Sequence, residues 1–471
     1  MAHGKAGGRN QEHGRGQDRQ GGFHGIAFQV VVENGLGWDT LWGQTHCAQP
    51  FQYGWAVNRS SSPRAASSQK SLSARGIWLV GLLLLGYLGP SFAQTTPRYV
   101  PRPGDVLLEG LPPQRAAAGG SISESAGTQA TDRLQTASAQ ARVLFLAALE
   151  QGDPRWLGQA QAALAPWWTQ TELPSDTLFV RALIKQGLHD FDDARLDLKR
   201  AIAAEPDRPE FWSWLFALDL VGANMAPAGA TCQEIQSRFG PQEGDACLGV
   251  LHYRSGRARD GLVLLDRLAA RSSDRSGSSA DWLAFHRGEA RRVLGQPQEG
   301  LAIWLAALKS GSGPHGLRLA AVELLNDLGR FAEADRLNDQ RPRSDAMLVQ
   351  AIRSARGLGQ TEQATALTRA FRARLERQMA RGDMTNERPV IAFWLDIEQQ
   401  PAKALTLARQ AWATQREPAD AVLYGRAALL VRDQPAARAL MTWVKDTGFV
   451  DQSQKSLFDA LAVSAGESRR P

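Results

Sequence analysis

From about residue 178 to its C-terminus the chain keeps returning to one unit: a helical stretch, a short turn, and a second helical stretch opened by a small residue. Its best copies run Gly249–Leu268 and Gly288–Leu308. In each, a Gly on the first helix is followed seven residues later by a turn Gly (Gly256, Gly295), then five residues on by a small residue (Gly261, Gly300), then four on by a large apolar one (Leu265, Trp304). Small residues let two helices approach closely and large ones fill the gaps. A single hairpin of this kind cannot cover its own apolar face, so successive hairpins must stack. Strand signals are scarce: only Gly25–Val32 reads as β.

Taking the small residue that opens the second helix as anchor gives Ala194, Gly261, Gly300, Ala334, Ala364 and Ala404, separated by 67, 39, 34, 30 and 40 residues. The first gap is about two periods, which places a degenerate copy in Phe211–Gly240; a last copy runs from Ala421 to Val444. Gly329–Ala334 (GRFAEA) and His189–Ala194 (HDFDDA) each set a turn before aromatic-x-x-Ala, and Pro206 closes the helix that Ala194 opens. The arrangement resembles the tetratricopeptide repeat, a helical hairpin of about 34 residues, over about two-thirds of the chain. It departs from that pattern in using Gly twice as anchor, in irregular spacing, and in replacing most of the first-helix Trp and Tyr positions.

The resemblance implies an all-α fold, a right-handed superhelical solenoid of tetratricopeptide-like repeats spanning residues 132–465, with residues 466–471 as a tail. It also implies a concave face, supplied by the first helix of each repeat, that binds another protein or a peptide. On that analogy the contacts fall to Phe179, Leu183, Tyr253, Trp282, Phe285, Glu289 and Arg292. None of them reproduces the Lys/Asn clamp that some family members close on a peptide carboxylate. Most of the ten Trp after residue 93 are expected to fill repeat cores.

Residues Ile77–Leu88 form a twelve-residue apolar run preceded by Arg75 and followed by Gly89-Pro90-Ser91-Phe92-Ala93. This is the layout of a secretory signal peptide over residues 72–93, with cleavage expected after Ala93 and a periplasmic destination. The run is short for a membrane span, which needs about 20 apolar residues, so no stable span is expected after cleavage. Some seventy residues precede it, and the pattern is best met by a start at Leu72, leaving 1–71 as a non-native extension. The competing reading is a tail ahead of an uncleaved inner-membrane anchor. Residues 94–131 read as a Pro/Gly-rich extended segment and linker, with Asp105-Val106-Leu107 and Leu111-Pro112 resembling the region after the signal in some exported repeat proteins of Gram-negative bacteria. Helices are expected from near Asp132. Removal of the leader takes Cys47 with it and leaves Cys232 and Cys247, fifteen residues apart around Phe239-Gly240-Pro241. In an oxidising compartment these two are a disulfide candidate; two buried thiols are the alternative.

The formal charge of +6 comes largely from the leader. Eight of the 54 Lys and Arg and four of the 48 Asp and Glu precede residue 94, leaving a net +2 over the remaining 378 residues. That is no nucleic-acid footprint, and Arg369–Arg381 reads as a solvated helix face. Motifs of catalysis are absent or out of context. Gly311–Gly316 satisfies G-x-G-x-x-G but follows a helix rather than a strand. His286 and Glu289 have no second ligand pair nearby, the Asp190–Asp197 acids lack the EF-hand pattern, and Glu124-Ser125 is not followed by anything like a lytic transglycosylase site. No cofactor or metal is expected, and no enzyme activity. The first reading is a periplasmic scaffold or assembly factor that binds an envelope protein or peptide. The competing class is a peptidoglycan-directed envelope enzyme with its site inside the superhelix. A long open groove lined by aromatics and Arg would favour the former, a carboxylate pair in a deep pocket the latter.

Overall fold

The computed structural model describes residues 125–151, 155–271, 278–310, 313–338, 344–381 and 387–467. The leader, the apolar run and its cleavage site, Gly25–Val32, the Asp105–Pro112 segment and Gly311-Ser312 lie outside them. Among the described residues the secondary structure is helical throughout, and the helices pack in successive antiparallel pairs. The pairs are α1 (Ser125–Gln151) with α2 (Arg155–Ala163), α3 (Ser175–Gly187) with α4 (Phe191–Ala204), and α5 (Pro209–Val221) with α6 (Met225–Phe239). There follow α7 (Pro241–Arg254) with α8 (Ala258–Arg271), α9 (Ser278–Val293) with α10 (Pro297–Ser310), and α11 (His315–Asp327) with α12 (Phe331–Asn338). The last are α13 (Asp345–Gly357) with α14 (Thr361–Arg381), α15 (Glu387–Ala392) with α16 (Pro401–Ala411), and α17 (Pro418–Val431) with α18 (Gln434–Thr447), after which α19 (Lys455–Ala465) covers the end. The described residues form an all-α solenoid of tetratricopeptide-like hairpins. α1 begins at Ser125, seven residues ahead of the expected start; the Ala, Thr and Gln of that stretch are tolerated in a helix, and its composition had suggested a linker.

Each second helix from α4 to α18 places a small buried residue at its fourth position: Ala194, Ala228, Gly261, Gly300, Ala334, Ala364, Ala404 and Ala437. Ala228 is the anchor of the degenerate copy. Where the anchor is Gly, the helices are too close for Ala. A Cβ on Gly261 would stand 2.5 Å from the Gly249 carbonyl oxygen, and one on Gly300 would stand 2.6 Å from that of Gly288. The Gly–Gly pairs thus replace Ala because backbone meets backbone, with Leu265 and Trp304 filling the space alongside. Trp304 is buried, donates its indole N–H to the Phe285 carbonyl at 3.1 Å and stacks on the Phe285 ring at 6.0 Å.

The hairpin turns share a left-handed residue. Gly256, Gly295, Gly329 and Gly359 supply it at low cost, whereas His189, Ala223, Gln399 and Arg432 adopt it with side chains. Proline opens α5, α7, α10, α16 and α17, where its missing N–H has no helical partner to lose. α15 continues through a π-helical turn, Phe393–Ile397, closed by the Glu398 N–H donating to the Phe393 carbonyl at 2.9 Å. Cys232 on α6 and Cys247 on α7 are bonded to each other, with Cα atoms 5.5 Å apart. A buried Arg181 ties the Ala165–Trp167 turn to the α3–α4 hairpin: two of its nitrogens donate to Asp197 at 2.7 and 2.6 Å, and the third donates to the carbonyls of Trp167, Trp168 and Gln170. Five of the ten Trp are buried (Trp214, Trp282, Trp304, Trp412, Trp443), and the other five are half-exposed.

The superhelix returns on itself. Residues at the turn ends of α5, α7 and α9 meet the α16–α17 and α18–α19 loops about 160 to 195 residues later in the chain. The Arg416 N–H donates to the Val221 carbonyl at 2.9 Å, Arg254 pairs with Glu417 at 3.1 Å, and Arg292 pairs with Asp451 at 2.9 Å. Gly256 packs so tightly on Gly448 that a Cβ there would overlap the Gly448 carbonyl.

Candidate functional site

Curling of the first helices forms a half-open chamber of about 660 Å³, within the range of ligand sites. Its walls come from α9, α11, α13, α15 and α17, with Pro297 and Trp304 of the second helix α10, and one side is bordered by Asp451, Ser453 and Gln454 of the α18–α19 loop. Helical geometry explains which side chains face inward: residues at i, i+3, i+4 and i+7 share one face. α11 contributes Ala320, Glu323, Leu324 and Asp327, α13 contributes Ala346, Val349, Gln350 and Arg353, and α17 contributes Ala419, Val422, Leu423 and Arg426.

The charged lining forms a ladder of alternating sign. Arg353 donates to Asp327 at 2.7 Å, lies within electrostatic reach of Asp396, and Asp396 in turn pairs with Arg426. The ladder therefore crosses α11, α13, the π-helical turn and α17. Burial works to lower the pKa of Arg353, but Asp327, Asp396 and Glu323 together outweigh that and raise it. At the other end of the chamber Arg292 pairs with Glu289 at 3.0 Å and with Asp451 at 2.9 Å, and donates to Ser453 at 2.8 Å. Its guanidinium is held far above the ordinary range by Glu289 and Asp451, which overcome a large desolvation cost. Amides fix the middle of the wall. Asn326 donates to the Gln350 carbonyl and side-chain oxygen at 3.1 Å and accepts from Ser354 at 2.9 Å. Between the polar groups, Leu324, Val349, Val422 and Leu423 supply apolar surface.

Of the seven residues expected on the concave face, Glu289 and Arg292 line the chamber and five do not. Phe179, Leu183, Tyr253, Trp282 and Phe285 are buried between helices. Phe179 packs on the Phe211 ring at 4.8 Å, Trp282 lies 4.3 Å from the His286 ring, and the Tyr253 hydroxyl meets His286 Nδ1 at 2.8 Å. Their burial has a simple cause. First helices are sandwiched between the second helices of their own and neighbouring repeats, so large apolar residues on them are spent on packing and only a narrow stripe faces inward. The chamber on this face is half-open, and Trp304 is the one aromatic among its lining residues. His286 and Glu289 point to different partners: the first is buried against Tyr253, with burial pushing its imidazole down to about 3, and the second is taken by Arg292. Arg369, Arg372 and Arg377 are exposed on α14, as a solvated face requires. Sequence reading missed Asp327, Arg353, Asp396 and Arg426. A signal was present, one charged residue seven after a small one on α11, α13 and α17, but irregular repeat lengths hide their alignment.

No family model matches the chain, and no curated protein is similar to it. Solved structures similar to it include a tetratricopeptide repeat protein from Parabacteroides merdae, at TM-score 0.30 and 13% identity over 61% of this chain and 98% of that one. The APC/C hetero-tetramer Cut9–Hcn1 matches at TM-score 0.45 and 14% identity over 72% and 66%. Human IFIT1, solved as a dimer with PPP-AAAA, matches at 0.35 and 13% over 73% and 88%. No helix among the described residues is long and apolar enough to cross a membrane.

Proposed function

We propose that this chain is an exported, periplasmic binding scaffold or assembly factor, and that its internal chamber holds a segment of another envelope polypeptide. The observation that carries the reading is the charge-compensated wall. Asp327, Asp396, Asp451 and Glu289 are each tied to an Arg, so the wall presents fixed donors and acceptors with little net charge. A guanidinium has five N–H donors and uses only some of them on its carboxylate, so directed hydrogen bonds remain for neutral amides. A free anion or cation would have to break existing pairs to bind. Peptide main chain, polar and uncharged, does not, and its side chains find Leu324, Val349, Val422 and Leu423. A hydrolytic site is a poorer fit: glycoside hydrolysis needs a protonated carboxyl beside a carboxylate, whereas Asp327, Asp396, Asp451 and Glu289 are each held by an Arg, and neither His, Cys nor Lys is among the lining residues to pair with Ser453 as nucleophile and base.

The test is photo-crosslinking in the native cell. A benzophenone amino acid at Val349 or Val422 should capture one or a few polypeptides, the same position in an Arg353→Ala background should capture much less, and Val263 on the exposed surface of α8 should capture none of them. Identical adducts from all three positions, or none from the chamber, would reject the reading. Export is tested separately by the N-terminus of the native protein, expected at Gln94; full-length chain retained in the membrane would reject it.

A further inference from the structure

The contact that closes the superhelix is built unlike the contacts within it. The hairpins are held by three apolar cores, one covering α1 to α9, one bridging α9 to α13, and one covering α13 to α19. Where the first and last of these meet, charged side chains are buried. Arg254 and Glu417 pair across the seam, Glu417 also receives Arg388 at 2.7 Å, and Arg388 is held by Asp420 at 2.6 Å. All four side chains are nearly or fully buried. Apolar contact there includes Ala223 against the last core, and Val450 beside Gly256. Such a seam is shape-matched yet weakly cohesive. Buried ion pairs recover little more than their desolvation cost, whereas they specify one geometry, and on separation both charged faces regain water.

The seam also decides the shape of the chamber. Glu289 and Arg292 belong to α9 on one side of it, while Asp451, Ser453 and Gln454 belong to the loop on the other, and the two sets close the wall through Arg292. Moving the loop away opens that wall, and because Arg426 sits on α17, a swing of α17 also pulls on its pair with Asp396. We infer that the seam is a latch: α17–α19 with their loops swing as a body off the turns of α5, α7 and α9, and this admits a polypeptide segment to the chamber. The inference rests on reading the chamber as the binding site, and its test does not use a ligand.

Two readouts on the full chain, with Cys47→Ser and the Cys232–Cys247 bond intact, examine it. Spin labels on the exposed positions Arg259 and Lys455 report the distance across the seam. A thiol placed at Val422, which lines the chamber, reports access through its rate of reaction with a polymer-sized maleimide, normalised to N-ethylmaleimide. Arg254→Met removes the cross-seam ion pair at similar volume, and Val450→Trp wedges the seam from an exposed position. Each should add a longer-distance population and raise the normalised rate roughly tenfold, equivalent to about 1.4 kcal/mol of seam free energy, and Arg254→Lys should restore most of it. Unchanged distances and rates in both variants would overturn the latch. So would hydrogen exchange showing that α17–α19 unfold rather than move intact. Failure of chamber positions to crosslink a polypeptide would instead reject the peptide reading and leave the latch standing.

Discussion

Gly300→Ala tests whether the repeat anchors are set by backbone contact. On helix propensity alone Ala should stabilise α10 by about 1 kcal/mol. The structure gives the opposite sign. A Cβ on Gly300 would lie 2.6 Å from the Gly288 carbonyl oxygen, whereas a C–H···O approach needs about 3.3–3.6 Å. α10 must therefore retreat from α9 by roughly 0.7–1 Å, and a gap of that size forfeits about a quarter to a half of each affected dispersion contact. Overpacking of this kind costs about 1–3 kcal/mol. The Trp304 bond to the Phe285 carbonyl, stretched by the same movement, adds about 1 kcal/mol. After the propensity gain the net loss is about 1–3 kcal/mol. Gly229→Ala is the control: its Cβ would make only an ordinary 3.7 Å contact with Leu251, so it should stabilise by about 0.5–1 kcal/mol. Urea unfolding by circular dichroism gives the totals, and hydrogen exchange in α9 and α10 locates the loss. If Gly300→Ala proves as stable as the wild type, close backbone approach does not fix the anchor.

Reduction of the Cys232–Cys247 bond, which closes a loop of about 15 residues, should cost about 3 kcal/mol; a melting point unaffected by reductant, or a Cys232→Ser/Cys247→Ser variant that still responds to it, would contradict this. Arg181→Met leaves Asp197, which has no exposure to solvent, with Lys185 at 2.9 Å and Arg200 at 3.5 Å as its remaining ionic partners, and should destabilise by about 2–3 kcal/mol, with exchange rising first in the Ala165–Trp167 turn. The pH profile should fall on its alkaline side. Burial, and then Asp420, push the Glu387 carboxyl up to about 8, so the folded state binds more protons than the unfolded one from about pH 4.5 to 8 and stability drops across that window. Buried His189 and His286, pushed down to about 3 by burial and then by a nearby Arg, act oppositely and add stability from about pH 3 to 6.5. The decline between pH 6.5 and 8 therefore belongs to Glu387 and its neighbour Asp420, whose carboxyl burial also raises, and Glu387→Gln should reduce it; a decline of the same size in that variant would refute the assignment.

Much of this protein is written locally. The hairpin, its turn and its small anchor are contacts between residues close in sequence, so their spacing reports them directly: Gly249 and Gly261, or Gly288 and Gly300, are twelve residues apart and touch. Cys232 and Cys247 were legible for the same reason, a short turn returning one helix beside the other. The binding stripe was not. Phe179 and Trp282 look like contact residues because they are large and lie on first helices, but only the packing of neighbouring repeats determines which face of those helices is covered. The chamber and its seam depend on more still. Each hairpin rotates slightly on the last by an amount set by side-chain volumes, by Gly in place of Ala, and by the π-helical turn at Phe393–Ile397, and these rotations add over about five repeats. Arg292 meets Asp451, and Arg254 meets Glu417, only at the end of that sum. The sequence by itself determined the unit and its repetition; the tertiary structure alone decided that the repeats close, because closure is an accumulated curvature that no single repeat contains.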